Sequence, residues 1–168
     1  MNVLYLHGLE SKPGGSKVKY LNDRFDMVYA PAMDYKNPEL FQEMLDLCTA
    51  EYFDLNIGSS MGGYFAHQLA THFEDTQLML FNPAVHSRSF EPLGVIDGAF
   101  SVHGHVVLGL KDDVINPTRT YNMVGSLSFY DGLSVIPVED MGHRVPLPMF
   151  VDIMERFVMD WYLLAWLS

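Results

Sequence analysis

The run Gly58-Ser59-Ser60-Met61-Gly62-Gly63 follows directly on the apolar segment Phe53–Ile57 and opens a helical segment, Tyr64–His72. It constrains the fold more than any other stretch, because a strand has to turn into a helix within a few residues, at a serine. A residue at so tight a bend is held in strained backbone, and the positions two before and two after it need to be almost free of side chain to avoid collision. Gly58 and Gly62 meet that need, and their spacing selects Ser60 over Ser59 as the exposed hydroxyl. The helix behind it offers unpaired N–H groups to a developing negative charge. Gly63 and Ala66 let that helix approach the strand layer closely.

The same rhythm repeats along the chain. Short apolar, β-branched or aromatic runs at Val3–Leu6, Met27–Tyr29, Phe53–Ile57, Leu78–Phe81, His105–Leu110 and Leu133–Val138 read as buried strands. Helical patterns fall between most of them. In the second helix Asn37 is placed to cap and Pro38 to take the first helical position, with Leu40, Phe41, Met44, Leu45 and Cys48 on one face. From about Pro148 to the end, Phe150, Ile153, Met154, Phe157, Val158, Trp161 and Leu164 form one apolar stripe, expected to pack as core rather than as an interface. Strands alternating with helices imply a mostly parallel sheet of about six strands covered on both faces, a three-layer α/β/α sandwich. Chemistry then belongs to loops at the carboxyl ends of the strands. With 168 residues and no linker or repeat, residues 1–168 are expected to form one domain. Residues 82–104 break the rhythm and read as a long loop or small lid.

Composition narrows the partners. Ten Lys and Arg against 21 Asp and Glu leave a net charge of −11, a field that repels nucleic acid. A single cysteine, Cys48, allows no internal disulfide and fits a reducing compartment. The N-terminal strand has no basic lead-in and is interrupted by His7-Gly8, unlike a secretory leader, and the stretch Trp161–Leu167 is far short of the roughly 20 residues a membrane span requires. A cytoplasmic protein with no membrane span is expected.

A serine hydroxyl is a weak nucleophile until a base takes its proton, so a histidine and an acid are required. Both follow in sequence. Asp112 sits just past the strand His105–Leu110, with Asp113 beside it as the competing carboxylate. His143 lies in the Gly-bearing loop Glu139–Arg144 after the last strand, where one ring nitrogen can reach Ser60 and the other the acid. Of the remaining histidines, His67, His72 and His86 read as solvated. His103 and His105 share a strand face but lack a third ligand, so no metal is expected. His7, ahead of Gly8, reads as a structural imidazole bonded to loop backbone. The N–H groups of Leu9 and Met61 are the candidate oxyanion donors.

These residues resemble the α/β-hydrolase superfamily and, within it, the compact YqiA-like esterases. The likeness is carried by Leu6-His7-Gly8-Leu9-Glu10-Ser11-Lys12-Pro13 with Lys17, by Gly58–Tyr64, by Asn82-Pro83-Ala84-Val85, by Asp112-Asp113-Val114 and by Gly142-His143. It implies a minimal α/β-hydrolase core without the first two strands of larger relatives. It further implies hydrolysis of small or medium acyl esters through an acyl-enzyme, with Ser60, Asp112 and His143 as triad and no cofactor. The same triad would also serve a thioesterase, an amidase or a lactonase. The rival from another class is a non-catalytic hydrolase-fold binding module.

Overall fold

The computed structural model describes residues 1–9, 11–91, 100–126 and 132–167, with only the backbone course given for Ser126 and for residues 162–167. Six strands, β1 (Asn2–Leu6), β2 (Met27–Tyr29), β3 (Leu55–Ser59), β4 (Gln77–Phe81), β5 (His103–Gly109) and β6 (Gly132–Val138), form one sheet in the order β2-β1-β3-β4-β5-β6. Every neighbouring pair is parallel. Five helices connect them: α1 (Ser16–Arg24), α2 (Leu40–Ala50), α3 (Met61–Ala70), α4 (Pro117–Ser126) and α5 (Leu147–Leu167).

The strand sequences are apolar without alternation because both faces of the sheet are covered. In β1, Leu4 and Leu6 face a cluster completed by α2 and α3, including Phe41, Met44 and Phe65. Val3 and Tyr5 face the opposite cluster, closed by Leu21 of α1 and by Phe150, Met154 and Val158 of α5. Each such side chain contributes about 1.5–3 kcal/mol through burial, which commits the register to one choice. The α5 stripe through Trp161 therefore packs as core, with the Phe150 ring 5.0 Å from that of Phe81; the side chain of Leu164 lies outside the described residues. Glu155 ties α5 to α1, accepting from Tyr20 Oη at 2.7 Å and from Arg24 Nε at 3.1 Å.

Boundaries differ from the sequence reading where local pattern is overridden. β5 begins two residues early, at His103, because pairing with Gln77 of β4 and Gly132 of β6 extends its ladder. The second helix begins at Leu40 rather than Pro38. Asn37 still serves its entry, since its Oδ1 accepts from the N–H of Glu39 at 3.0 Å. Of the span 82–104, residues 82–91 carry no helix or strand, His103 and Gly104 belong to β5, and residues 92–99 lie outside the described residues. Among the described residues, no helix is long and apolar enough to cross a membrane.

Cys48 sits on the inner face of α2, where burial pushes its thiol up to about 12. Since only the thiolate attacks electrophiles, maleimide labelling of the native protein at pH 8 is expected to run more than about a hundredfold slower than that of a free cysteine. Labelling at the free rate without denaturant would contradict this packing.

Strand order reverses between β1 and β3, so their outgoing chains leave in different directions beyond the carboxyl ends, the switch point at which open α/β sheets generally bind ligands. The loops after these two strands carry Gly8-Leu9 and Ser60.

Candidate active site

Ser60 has φ 55° and ψ −118°, at the junction of β3 and α3. A residue with a side chain pays strain of about 1–3 kcal/mol in such a region, so the bend must be held from outside. Its N–H donates to Phe81 O at 3.0 Å, and its carbonyl accepts from Gly63 at 3.0 Å, Tyr64 at 3.2 Å and Ala84 at 3.0 Å. The glycines around it leave no room for a side chain. A Cβ on Gly58 would stand 2.4 Å from Gly62 O, and one on Gly62 only 2.1 Å from Leu6 O. Both obstacles are backbone, so Gly62→Ala is expected to cost about 4 kcal/mol or more and to lose the cooperative thermal transition. A melting temperature near that of the parent protein, followed by circular dichroism, would contradict this crowding.

Asp112 is placed by the turn that follows β5, where its N–H donates to Gly109 O at 3.1 Å. One carboxylate oxygen, Oδ1, accepts from the N–H groups of Val114 and Ile115, both at 2.8 Å. The other, Oδ2, meets His143 Nδ1 at 2.9 Å, with the Asp112 side chain 1 % exposed and that of His143 20 %. Asp113 is exposed. An ionised carboxylate only accepts, so the proton of the pair lies on Nδ1 and the lone pair of His143 on Nε2, the arrangement a general base requires. The loop bearing His143 is laced to the one bearing Asp112 by Lys111 N–H to Met141 O at 3.0 Å and by Leu110 N–H to Val138 O at 3.0 Å.

The loop after β1 reaches the same rim. A Cβ on Gly8 would stand 3.3 Å from Ser60 Cβ and 3.8 Å from Ser60 Oγ, which places this loop in contact with the Ser60 side chain. Among the described residues, no acceptor pairs with the N–H of Leu9 or Met61, and Ser60 Oγ makes no hydrogen bond with His143 or any other side chain. In serine hydrolases, contacts of this kind often tighten only with substrate bound.

The other histidines fall into place by their partners. His7 is 3 % exposed. Its Nε2 accepts from Met33 N–H at 3.2 Å, leaving Nδ1–H to donate to Gly8 O at 2.8 Å, while Tyr35 Oη donates to the His7 carbonyl. Both ring nitrogens are thus spent on loop backbone. The expectation of solvated surface positions fails for His67, which is 2 % exposed, and for His72, packed edge-on against Phe41 with its proton affinity lowered by burial. Helix α3 is buried nearly all round, from Met61 to His67 and again at Leu69 and Ala70. Its unbroken run of apolar and small residues was the available signal. His105 bonds Ser134 on the neighbouring strand, and among the described residues no group of three His, Cys, Asp or Glu could hold a metal ion.

Asn82, named above only within the stretch Asn82-Pro83-Ala84-Val85, was given no role at the site by the sequence. Asn82, at the end of β4, is 1 % exposed with φ 45°.

A family model described as Uncharacterised protein family (UPF0227) matches residues 2–97, more than half of the chain, including the β1 loop and the Ser60 bend. The chain belongs to that family. No curated protein matches it in sequence. Solved structures show where this chain falls among known folds. A protein of the α/β-hydrolase superfamily from Xanthomonas campestris pv. campestris is similar with a TM-score of 0.69 at 21 % identity, over 89 % of this chain and 91 % of its own. Mouse α/β-hydrolase domain-containing protein 10 is similar with a TM-score of 0.74 at 13 % identity, over 99 % of this chain and 90 % of its own. The Bacillus cereus carboxylesterase is similar with a TM-score of 0.62 at 17 % identity, over 94 % and 87 % of the two chains. At such identities the likeness is one of fold. This UPF0227 member has the compact α/β-hydrolase fold, with a fully parallel six-stranded sheet.

Proposed function

We propose that the protein is a serine hydrolase, formed by residues 1–168 as one domain, that cleaves carboxylic esters of small or medium acyl groups through an acyl-enzyme. The observation that carries this reading is the bond of 2.9 Å between Asp112 and His143, built on the same rim as a serine in strained backbone. A pair spent only on structure would not need to leave Nε2 of a partly exposed imidazole free. In the proposed cycle, Nε2 of His143 takes the Ser60 proton as Oγ attacks the ester carbonyl, and Asp112 steadies the imidazolium. The N–H groups of Leu9 and Met61 receive the oxyanion. Collapse of the tetrahedral species expels the alcohol, which takes the proton from His143. Water then repeats both steps on the acyl-enzyme, releasing the acid and restoring Ser60. The chemistry uses no metal or organic cofactor, and a buried, free Cys48 is compatible with the cytoplasm.

The substrate is fixed by a panel of p-nitrophenyl esters of increasing acyl length, run beside thioesters, anilides and lactones. The reading predicts the highest kcat/KM on esters of short or medium chain. Preference for a thioester, amide or lactone would keep the triad and change the leaving group, and inertness toward the whole panel would reject the enzyme.

A further inference from the structure

We infer that Asn82 is a positioning residue that locks the His143 loop to the Ser60 bend. This rests on the triad reading above and adds to it a fourth side chain, one that touches neither substrate nor reacting atoms.

Both polar atoms of the Asn82 side chain are committed, as is its backbone N–H. Its backbone N–H donates to Val107 O of β5 at 2.9 Å. Its Oδ1 accepts from Gly109 N–H at 2.7 Å, at the mouth of the loop that carries Asp112. Its Nδ2 donates to Gly142 O at 3.0 Å and to His143 O at 3.2 Å. Those two carbonyls belong to the peptide units on either side of the His143 Cα, so one amide group holds the backbone on both flanks of the base. On the other side, the residues adjoining Asn82 grip the bend: Phe81 O accepts from Ser60 N–H, and Ala84 N–H donates to Ser60 O, each at 3.0 Å. The Asn82 side chain thus joins the end of β5, from which the Asp112 loop leaves, to the His143 loop, while the backbone on either side of it holds the Ser60 bend.

The local backbone supports the same view. A residue before proline is restricted, and Asn82 precedes Pro83 with φ 45°, in the left-handed region that asparagine tolerates better than most residues. A buried amide is costly unless its bonds are made, and an apolar residue would pack the end of β4 as well. What an apolar residue could not do is hold two carbonyls of a neighbouring loop. Reaction geometry is steep in distance: misplacement of a catalytic group by about 1 Å costs on the order of a hundredfold in rate.

Two variants test the inference. Asn82→Gly keeps the left-handed backbone without strain and removes only the side-chain bonds; Asn82→Asp keeps the size and the acceptor for Gly109 but has no hydrogens for the two carbonyls. For folded variants the expected result is a fall in kcat of about a hundredfold with KM within about twofold, because the lost term acts on the chemical step and not on binding. Crystal structures should show the His143 ring displaced by about 1 Å or more relative to Ser60. The inference is overturned if either folded variant keeps kcat within twofold of the parent, if the loss lies in KM alone, or if kcat falls while the ring stays in place. Should the parent protein hydrolyse no ester, the functional reading fails by itself, and ring displacement in the Asn82→Gly crystal structure still decides whether Asn82 holds the loop.

Discussion

Replacing Ser60 by alanine is expected to lower kcat on the best ester by about 10⁵- to 10⁶-fold, the scale on which loss of a serine nucleophile removes the covalent route. The fold should survive, because the bonds that hold the bend use the backbone of residue 60 and not its hydroxyl. A second substitution separates chemistry from strain. Alanine inherits the left-handed backbone at φ 55° with its cost of about 1–3 kcal/mol, whereas glycine adopts that region freely. Ser60→Gly should therefore be as inactive as Ser60→Ala but melt higher, by about 2–4 °C for each kcal/mol relieved in a chain of this size. An active site that gains stability when its nucleophile is deleted is one where strain is retained for function. Equal melting temperatures for the two variants would mean that the bend stores nothing.

The second large effect belongs to Asp112. In Asp112→Asn the acceptor for Val114 and Ile115 N–H can be kept by the amide oxygen, since those two donors demand an acceptor. The amide NH₂ then faces His143 Nδ1. Two donors cannot share that contact, so the imidazole must turn to the tautomer with its proton on Nε2, aimed at Ser60 and useless as a base. A loss of about 10⁴-fold in kcat with little change in melting temperature is expected. Asp113→Asn, at an exposed carboxylate, should stay within about twofold of the parent, as surface changes of about 0.5 kcal/mol or less do. Steady-state kinetics on the two variants settle which of the adjacent carboxylates is the acid. Equal losses at both positions would contradict the geometry.

Much of this was legible before any coordinates, and for physical reasons. Buried parallel strands need apolar side chains on both faces, so β1 and β4 stand out as short apolar runs, whereas β3 runs two residues later than the apolar segment Phe53–Ile57. The bend at Ser60 leaves a mark because backbone packs against backbone at Gly58 and Gly62, where no Cβ fits. Asp112 and His143 are legible only as order along the chain; their meeting at 2.9 Å is a tertiary fact. Asn82 was legible as part of the stretch Asn82-Pro83-Ala84-Val85, but its role was not. Its side chain binds residues 27 to 61 positions away, and nothing local to β4 distinguishes a clamp from an ordinary polar strand end. His67 misled in the opposite sense, since the polar pair His67-Gln68 in an otherwise apolar helix suggests an exposed face, while every residue of α3 but Gln68 is buried. The start of β5 likewise depended on its neighbours, because pairing on both edges recruits His103 and Gly104 into the ladder.

Reaction with a fluorophosphonate tests the central claim most directly, because the reagent needs an activated serine and no knowledge of the substrate. Peptide mapping by mass spectrometry should find a single stoichiometric adduct on Ser60, absent in Ser60→Ala and slowed by orders of magnitude in His143→Ala. An adduct on another residue, or none on the native protein over long exposure, would contradict the account.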